Sequence, residues 1–186
     1  MERMHETEGK KRIKSKDNIR FWTTTAVFVA LTYLFTACVN VRLPIAANGG
    51  LIHLGNIPLF VGAIIFGKKT GMLAGGIGMA LFDLLSGWTV WAPFTLIIVG
   101  AMGFVAGKLT EKPSHQKFVW YAAAVAAALG IKIGGYYVAE GLIYGNWLAP
   151  VASIPGNVLQ ILLAGAVTLL IVGRLNGAAL RIGLKE

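Results

Sequence analysis

The sequence predicts an all-α membrane protein: a compact bundle of six transmembrane helices whose two termini both face the cytoplasm. The 186-residue chain is 56% hydrophobic and 13% charged, whereas soluble domains carry about 25% charged residues. Its apolar residues form continuous runs without the two-residue alternation of a membrane β-barrel. Such a chain lacks the charged residues that an ordinary soluble surface needs.

Six apolar stretches are the predicted helices. A helix needs roughly 17–25 residues to cross a bilayer, and the second stretch reaches that length only if flanking loop residues extend it. The stretches are Phe21–Val41, His53–Phe66, Gly71–Trp88, Trp91–Leu109, Phe118–Ile143 and Pro150–Gly173. The chain accordingly divides into a mobile, basic cytoplasmic tail at 1–20, a six-helix domain at 21–174 and a cytoplasmic tail at 175–186.

Basic residues give the predicted orientation. With the N-terminus inside, the tails and inner loops hold fifteen Lys and Arg residues, whereas the outer loops hold only Arg42. Cytoplasmic loops of membrane proteins carry this excess of basic residues. The net charge of +9 therefore indicates membrane topology, and no nucleic-acid partner is expected.

Polar residues within the predicted spans lie mostly in the outer halves. Asp83 and Lys132 are ionisable. Placing a charged side chain within the bilayer costs at least ~2.5–3.5 kcal/mol on insertion scales. Lys132, Tyr136 and Glu140 share one helix face because they are spaced four residues apart. The inner halves are almost entirely apolar, whereas a channel needs a polar lining across the full thickness. The pattern therefore predicts a solute pocket that opens to the outside.

Several of these residues have a purely structural alternative. Asp83 and Lys132 form an ion pair between two helices, contact a solute, or do both. Glu140 is either a solvated helix-end residue or part of the pocket. Asn157 and Gln160 either hydrogen-bond between helices or bind solute. The outer Trp and Tyr side chains form either an interfacial belt or a stacking surface for a flat ligand.

The long outer segment Asn40–Asn56 is predicted to be an unstructured loop that closes over the pocket, because loops of this length are often functional. It contains Asn48 and His53. His53 has no further histidine at metal-ligand spacing on the same side of the membrane, so no metal site is predicted.

Two kinds of motif that contain small residues predict different features. Gly62–Lys69 approaches the phosphate-binding GxxxxGK[ST] loop, but Lys69 replaces the Ser or Thr and the segment lies in a predicted span, so no ATPase site is expected. Small residues four apart predict close helix packing, either within the bundle or against another protein. These pairs are Gly71/Gly75, Gly103/Gly107 and Ala26/Ala30.

Several motifs, in order along the chain, resemble those of a known family. They are Ala26-x-x-x-Ala30, His53-Leu-Gly-Asn-Ile-Pro58, Gly67-Lys-Lys-Thr-Gly71-Met-Leu-Ala-Gly75-Gly-Ile-Gly78 and Asp83-Leu-Leu-Ser-Gly87. With six predicted spans, they resemble the substrate-binding S components of energy-coupling factor (ECF) vitamin transporters across residues 20–175. The runs Tyr144-Gly-Asn146-Trp147 and Ser153-Ile-Pro155-Gly-Asn157-Val-Leu-Gln160 are most similar to the hydroxymethylpyrimidine, pyridoxine or pantothenate subgroup.

The resemblance implies a transport subunit of a bacterial cell membrane that captures a water-soluble vitamin or precursor from outside. Its partners would be a transmembrane coupling protein, met by the face of Ala26 and Ala30, and two cytoplasmic ATPases that use ATP. This chain itself would hold no cofactor. Hydroxymethylpyrimidine or pyridoxine is the favoured solute, and pantothenate, with its carboxylate on Lys132, is the alternative.

A self-contained carrier and an intramembrane enzyme are the rival classes. The first is disfavoured because residues 21–109 and 118–173 show no repeat, and the second because no nucleophile and base are paired. The resemblance and the depth of the polar groups together give the candidate solute-binding residues. They are Asn48, His53, Asp83, Trp88, Trp91, Lys132, Tyr136, Glu140, Asn146, Trp147, Asn157 and Gln160.

Overall fold

The computed structural model of the chain describes residues 2–42 and 51–184, which form six α-helices and a short β-hairpin. In chain order the elements are α1 (Glu2–Cys38), β1 (Asn40–Arg42), β2 (Leu51–His53), α2 (Asn56–Phe66), α3 (Lys68–Leu85), α4 (Ala92–Thr110), α5 (Phe118–Tyr144) and α6 (Ile154–Arg181). Short 3-10 turns, Pro113–His115 and Ala149–Ser153, precede α5 and α6. We call the end of the bundle that carries β1 and β2 the hairpin end, and the opposite end the terminal end.

The first and last helices are longer than the apolar runs that predict them. α1 begins at Glu2 and so continues through the segment predicted to be a tail, and α6 continues to Arg181. The chain reverses between α2 and α3 at the single residue Gly67, whose φ of 91° is a conformation that L side chains rarely adopt.

The segment predicted to be an unstructured loop is partly ordered, which corrects that expectation. β1 and β2 pair as antiparallel strands, with Asn40 opposite His53 and Arg42 opposite Leu51. Pairing provides hydrogen-bond partners for backbone groups that would otherwise need water. The predicted second span also begins later than expected, at Asn56, so His53 belongs to the hairpin and lies outside the helix.

The short helix α2 is at the centre of the bundle. Ten of its eleven residues are buried, and Leu59, Phe60 and Ala63 have no exposed surface. It contacts α1, α3, α4 and α6. At ~1.5 Å per residue its length is about 16 Å, roughly half the hydrocarbon thickness of a bilayer. α2 is therefore a core helix that fills only part of the bundle's height.

Glycines bring α3 and α4 into close contact. A Cβ built on Gly103 would lie 2.1 Å from the carbonyl oxygen of Gly71, and one on Gly107 would lie 2.4 Å from the backbone of Lys68. The close packing predicted from the paired glycines is confirmed. The two helices form a backbone-to-backbone interface that side chains larger than hydrogen would separate.

Four helical segments of the described residues are long and apolar enough to cross a membrane. They are Lys16–Cys38, Ala92–Thr110, Phe118–Tyr144 and Ala149–Arg181. α2 is apolar but only 11 residues long, and the 18 residues of α3 include Lys68, Lys69 and Asp83. The all-α fold is as predicted, and full crossing by α2 and α3 stays a prediction.

The close contact between α3 and α4 predicts that replacing a glycine by alanine destabilises the protein at Gly103 but not at Gly134 of α5. Gly103→Ala should lower the free energy of unfolding by about 1–3 kcal/mol, because the added methyl overlaps the Gly71 backbone. Gly134→Ala on α5 is the matched control, since a Cβ there meets nothing within 4 Å. It should be neutral or stabilising by up to about 1 kcal/mol. Unfolding of both variants in detergent measures the difference, and equal stability would contradict the close interface.

Candidate functional site

A cavity of about 120 Å³ lies at the hairpin end of the bundle. Its walls come from α1, β2, α3, α4, α5, α6 and the connections before α4 and α6, and α2 contributes no lining residue. The cavity therefore occupies the space beyond the first turn of the short central helix. Nine of the candidate residues line it: His53, Asp83, Trp88, Trp91, Lys132, Tyr136, Glu140, Asn157 and Gln160.

Three candidates are not in the cavity wall as the structure describes it. The Asn146 side chain accepts a hydrogen bond from the backbone N–H of Leu148 at 2.8 Å, within its own turn. Trp147 is half exposed and packs against Tyr137, whose hydroxyl donates to the Trp147 carbonyl at 2.8 Å. Asn48 lies outside the described residues.

Lys132 is buried in the middle of α5 with 2% of its surface exposed. Its Nζ lies 5.4 Å from the centre of the Tyr136 ring, one turn further along the same helix face. No oxygen of Asp83 lies within 4.0 Å of this nitrogen, so the two do not form the direct ion pair considered above. The Lys132 amino group borders the cavity and makes a cation–π contact with the Tyr136 ring.

Asp83 contributes a carboxylate from the last turns of α3. Its Oδ2 is buried and has no hydrogen-bond partner. Nearby, the hydroxyl groups of Thr95 on α4 and Tyr136 on α5 lie 3.1 Å apart and share a hydrogen bond that joins these two helices. A buried acceptor without a partner costs about 1–3 kcal/mol, so this wall is ready to accept a hydrogen bond from a bound molecule.

Glu140 contributes a second carboxylate, two turns beyond Lys132 on α5. It is only 5% exposed, and its Oε2 accepts a hydrogen bond from the Ser153 hydroxyl at 2.8 Å. The interpretation of Glu140 as a solvated helix-end residue is therefore wrong. The chain segment before α6 covers this helix end, which the sequence of α5 alone does not indicate.

His53 and Gln160 join the hairpin to α6. The Gln160 side-chain amide donates to the His53 carbonyl at 3.2 Å, and the His53 Nδ1 accepts from the backbone N–H of Gly55 at 3.3 Å. Burial lowers the pKa of the His53 imidazole well below its usual range, and the nearby charge of Lys132 lowers it further. Because Nδ1 accepts the hydrogen bond from Gly55, the proton of a neutral His53 ring belongs on Nε2.

Tryptophans form an aromatic wall on one side of the cavity. The Trp91 ring lies between Tyr136 and Tyr144, with ring centres 6.2 and 6.1 Å away. Trp88 also lines the cavity. Because these two partly buried rings line the cavity, they favour the stacking interpretation, whereas half-exposed Trp147 fits the interfacial belt.

The site also contains residues that were not among the candidates. Three carry hydroxyl groups, three are apolar and one is a glycine: Thr36, Thr95, Ser153, Leu51, Met79, Phe82 and Gly156. Thr36 and Thr95 are polar residues near the hairpin end of their helices, which is the signal that identified the other candidates. The apolar members have no such signal, because apolar residues occur throughout every span.

A second feature is an apolar groove between α1 and α3, about 490 Å³ in volume. Ala26 and Ala30 line it and are exposed, so the small-residue face of α1 is not used for packing inside the bundle. Trp22, Tyr33 and Leu85 are among the larger side chains at its edges.

Comparisons with known proteins agree with this architecture. The sequence model of the family described as "ECF-type riboflavin transporter, S component" matches residues 16–177. The thiamine precursor transporter HmpT of Lactococcus lactis subsp. cremoris (strain MG1363) is 30% identical over 151 residues, which are 81% of this chain and 84% of HmpT. An uncharacterized protein in gap 3'region from Pyrococcus woesei is 33% identical over 103 residues, 55% of this chain and 64% of that protein. The chain belongs to the family of ECF-type riboflavin transporter S components.

Proposed function

We propose that this chain is the solute-capture subunit of an ECF-type importer and that it binds a single-ring vitamin precursor, with hydroxymethylpyrimidine favoured over pyridoxine. The observation that carries the proposal is the partly open cavity at the hairpin end, with two tryptophans and several hydrogen-bonding groups in its wall. The similarity to a thiamine precursor transporter supports a pyrimidine.

The size of the cavity supports a small solute. Its volume of about 120 Å³ is close to that of an engineered cavity of roughly 150 Å³ that binds benzene. One six-membered ring matches such a space better than the three fused rings of a flavin. The family name alone therefore does not decide the solute.

In the proposed binding mode the ring stacks on Trp88 or Trp91, because aromatic faces favour flat ligands. Lys132 and Asn157 supply hydrogen bonds from α5 and α6. Gln160 contributes its remaining hydrogen-bonding groups, since one N–H already holds the His53 carbonyl. The paired strands β1 and β2 close the cavity from above, with Leu51 and His53 in its wall.

The distribution of charge supports a hairpin end that faces the outside. Lys68, Lys69 and Lys108 lie at the terminal end together with the start of α1 and the end of α6, and basic residues favour the cytoplasmic side. In this orientation the solute enters from outside, and both termini are cytoplasmic in a bacterial cell membrane.

Inward delivery requires partners in this proposal. A transmembrane coupling protein docks on the groove that contains Ala26 and Ala30, and two cytoplasmic ATPases supply the energy from ATP. The chain itself performs no covalent chemistry and carries no cofactor. The family and the relative are both described as transporters, which supports a transport subunit over an enzyme.

Pantothenate is less well supported than an uncharged ring. Lys132 is a suitable partner for its carboxylate, but Asp83 and Glu140 line the same cavity. Carboxylates repel an anion of the same sign, and burial strengthens that repulsion.

Direct binding tests the proposed solute. Purified protein in detergent should bind 4-amino-5-hydroxymethyl-2-methylpyrimidine more tightly than pantothenate or riboflavin, as measured by calorimetry. Mass spectrometry of the denatured protein should release the same pyrimidine when the protein is produced in cells that contain it. Tighter binding of riboflavin or pantothenate would contradict the proposal.

Lys132 tests the binding mode. Lys132→Ala should weaken binding of this pyrimidine about tenfold or more, because a hydrogen bond to a charged group is lost. Lys69→Ala, which removes an exposed lysine at the terminal end, is the control and should bind normally.

The double variant Asp83→Asn/Lys132→Met separates contact from structural pairing. Weak binding by a normally folded double variant supports direct contact with the solute. Affinity close to that of the unmodified protein in both Lys132→Ala and the double variant would remove Lys132 from the site.

The groove on α1 tests the partner. Ala26→Leu should block close approach of a coupling protein, so recovery of the complex and uptake by cells should fall while pyrimidine binding to the isolated chain is unchanged. Ala101→Leu makes the same change at an exposed position of α4 outside the groove and should leave both intact. Equal loss of solute binding in Ala26→Leu would show that this face has an internal role.

A further inference from the structure

The pair Glu140 and Ser153 lies where α5 ends and α6 begins, in the wall of the cavity. Glu140 is 5% exposed and Ser153 is 9% exposed, and the 2.8 Å hydrogen bond between them joins residues thirteen positions apart. Ser153 is the last residue of the 3-10 turn Ala149–Ser153. The turn therefore fixes the direction of the carboxylate from outside its own helix.

The hydrogen bond leaves most of the accepting capacity of Glu140 unused. A carboxylate has about four lone-pair positions on its two oxygens, and Ser153 occupies one of them. Since the serine hydroxyl has a single hydrogen, which it gives to Glu140, its oxygen can only accept a further bond. This part of the wall thus presents acceptors to a bound molecule.

Asp83 adds to the same character, because its Oδ2 is buried without a partner. Acceptors on the wall favour a solute that offers N–H donors and disfavour one that offers a carbonyl oxygen at the same place. An amino group and an oxo group on a pyrimidine have nearly the same size but opposite hydrogen-bonding character. The difference between them is therefore electrostatic and not steric.

We propose that Glu140, positioned by Ser153, accepts hydrogen bonds from the exocyclic amino group of the solute, so that the cavity selects an aminopyrimidine over its oxo counterpart. This inference rests on the proposed function for its solute class. It assigns Glu140 a specificity-determining contact and Ser153 a positioning role.

The experiment compares two probes of equal shape, 4-amino-5-hydroxymethyl-2-methylpyrimidine and the analogue with a 4-oxo group, by calorimetry on the full chain in detergent. The unmodified protein should prefer the amino compound by about 30-fold or more, since an unmatched polar group in a built site is strongly rejected. Glu140→Gln should reduce the preference to about threefold or less, because an amide both donates and accepts.

Ser153 variants provide a second, independent test of the proposal if Glu140→Gln does not fold. Ser153→Ala should reduce the preference severalfold while the carboxylate stays in place, and Ser153→Thr, which keeps the hydroxyl, should restore it. Glu111→Gln makes the same chemical change in the ion pair with Lys68 at the terminal end and should leave the preference unchanged.

The outcomes separate the inference from the function on which it rests. Failure of the unmodified protein to bind the amino compound contradicts the proposed function. Normal binding of that compound with an unaltered preference in folded Glu140→Gln, or in Ser153→Ala when the first variant does not fold, overturns the role of this pair. A loss of preference that is equally large in Glu111→Gln also overturns it.

Discussion

The length of α2 is the constraint on which the site depends. Its eleven residues are buried among longer helices, and a helix of about 16 Å cannot fill a bundle built to the ~30 Å thickness of a bilayer core. The unfilled volume at the hairpin end becomes the cavity, and β2 lies across it with Leu51 and His53 in the wall. A single glycine, Gly67, allows α3 to return at once along α2.

Rigid walls follow from how the remaining helices meet. Backbone contact between α3 and α4 extends from Gly71 and Gly103 to Gly76 and the Leu96 carbonyl, and close-packed backbones leave little room to shift. Three hydrogen bonds then tie further elements together at the hairpin end. They join Thr95 to Tyr136, Ser153 to Glu140 and Gln160 to the carbonyl of His53. The groups left over, Lys132 and Asp83 above all, are presented in a fixed arrangement.

Preorganisation of this kind suits a protein that captures a solute and does not transform it. Buried polar groups are costly unless partners satisfy them, and in the cavity wall the Asp83 Oδ2 is buried without a partner. A solute that hydrogen-bonds to such a group binds more tightly, because the cost of removing the group from water was already met on folding. The exposed apolar groove lies between α1 and α3, so the proposed docking surface is separate from the proposed solute cavity.

The sequence by itself determined the helices, the close glycine contacts and the shared face of Lys132, Tyr136 and Glu140, because these depend on local composition and periodicity. Tertiary structure decided what the local pattern does not contain. It made α2 a central half-length helix, paired two short strands where no order was expected and covered Glu140 with Ser153. It also placed Asn146 and Trp147 outside the cavity wall, where they contact Leu148 and Tyr137. The physical reason is that burial of a polar group depends on which distant segment packs over it. The sequence of a single helix does not specify that segment.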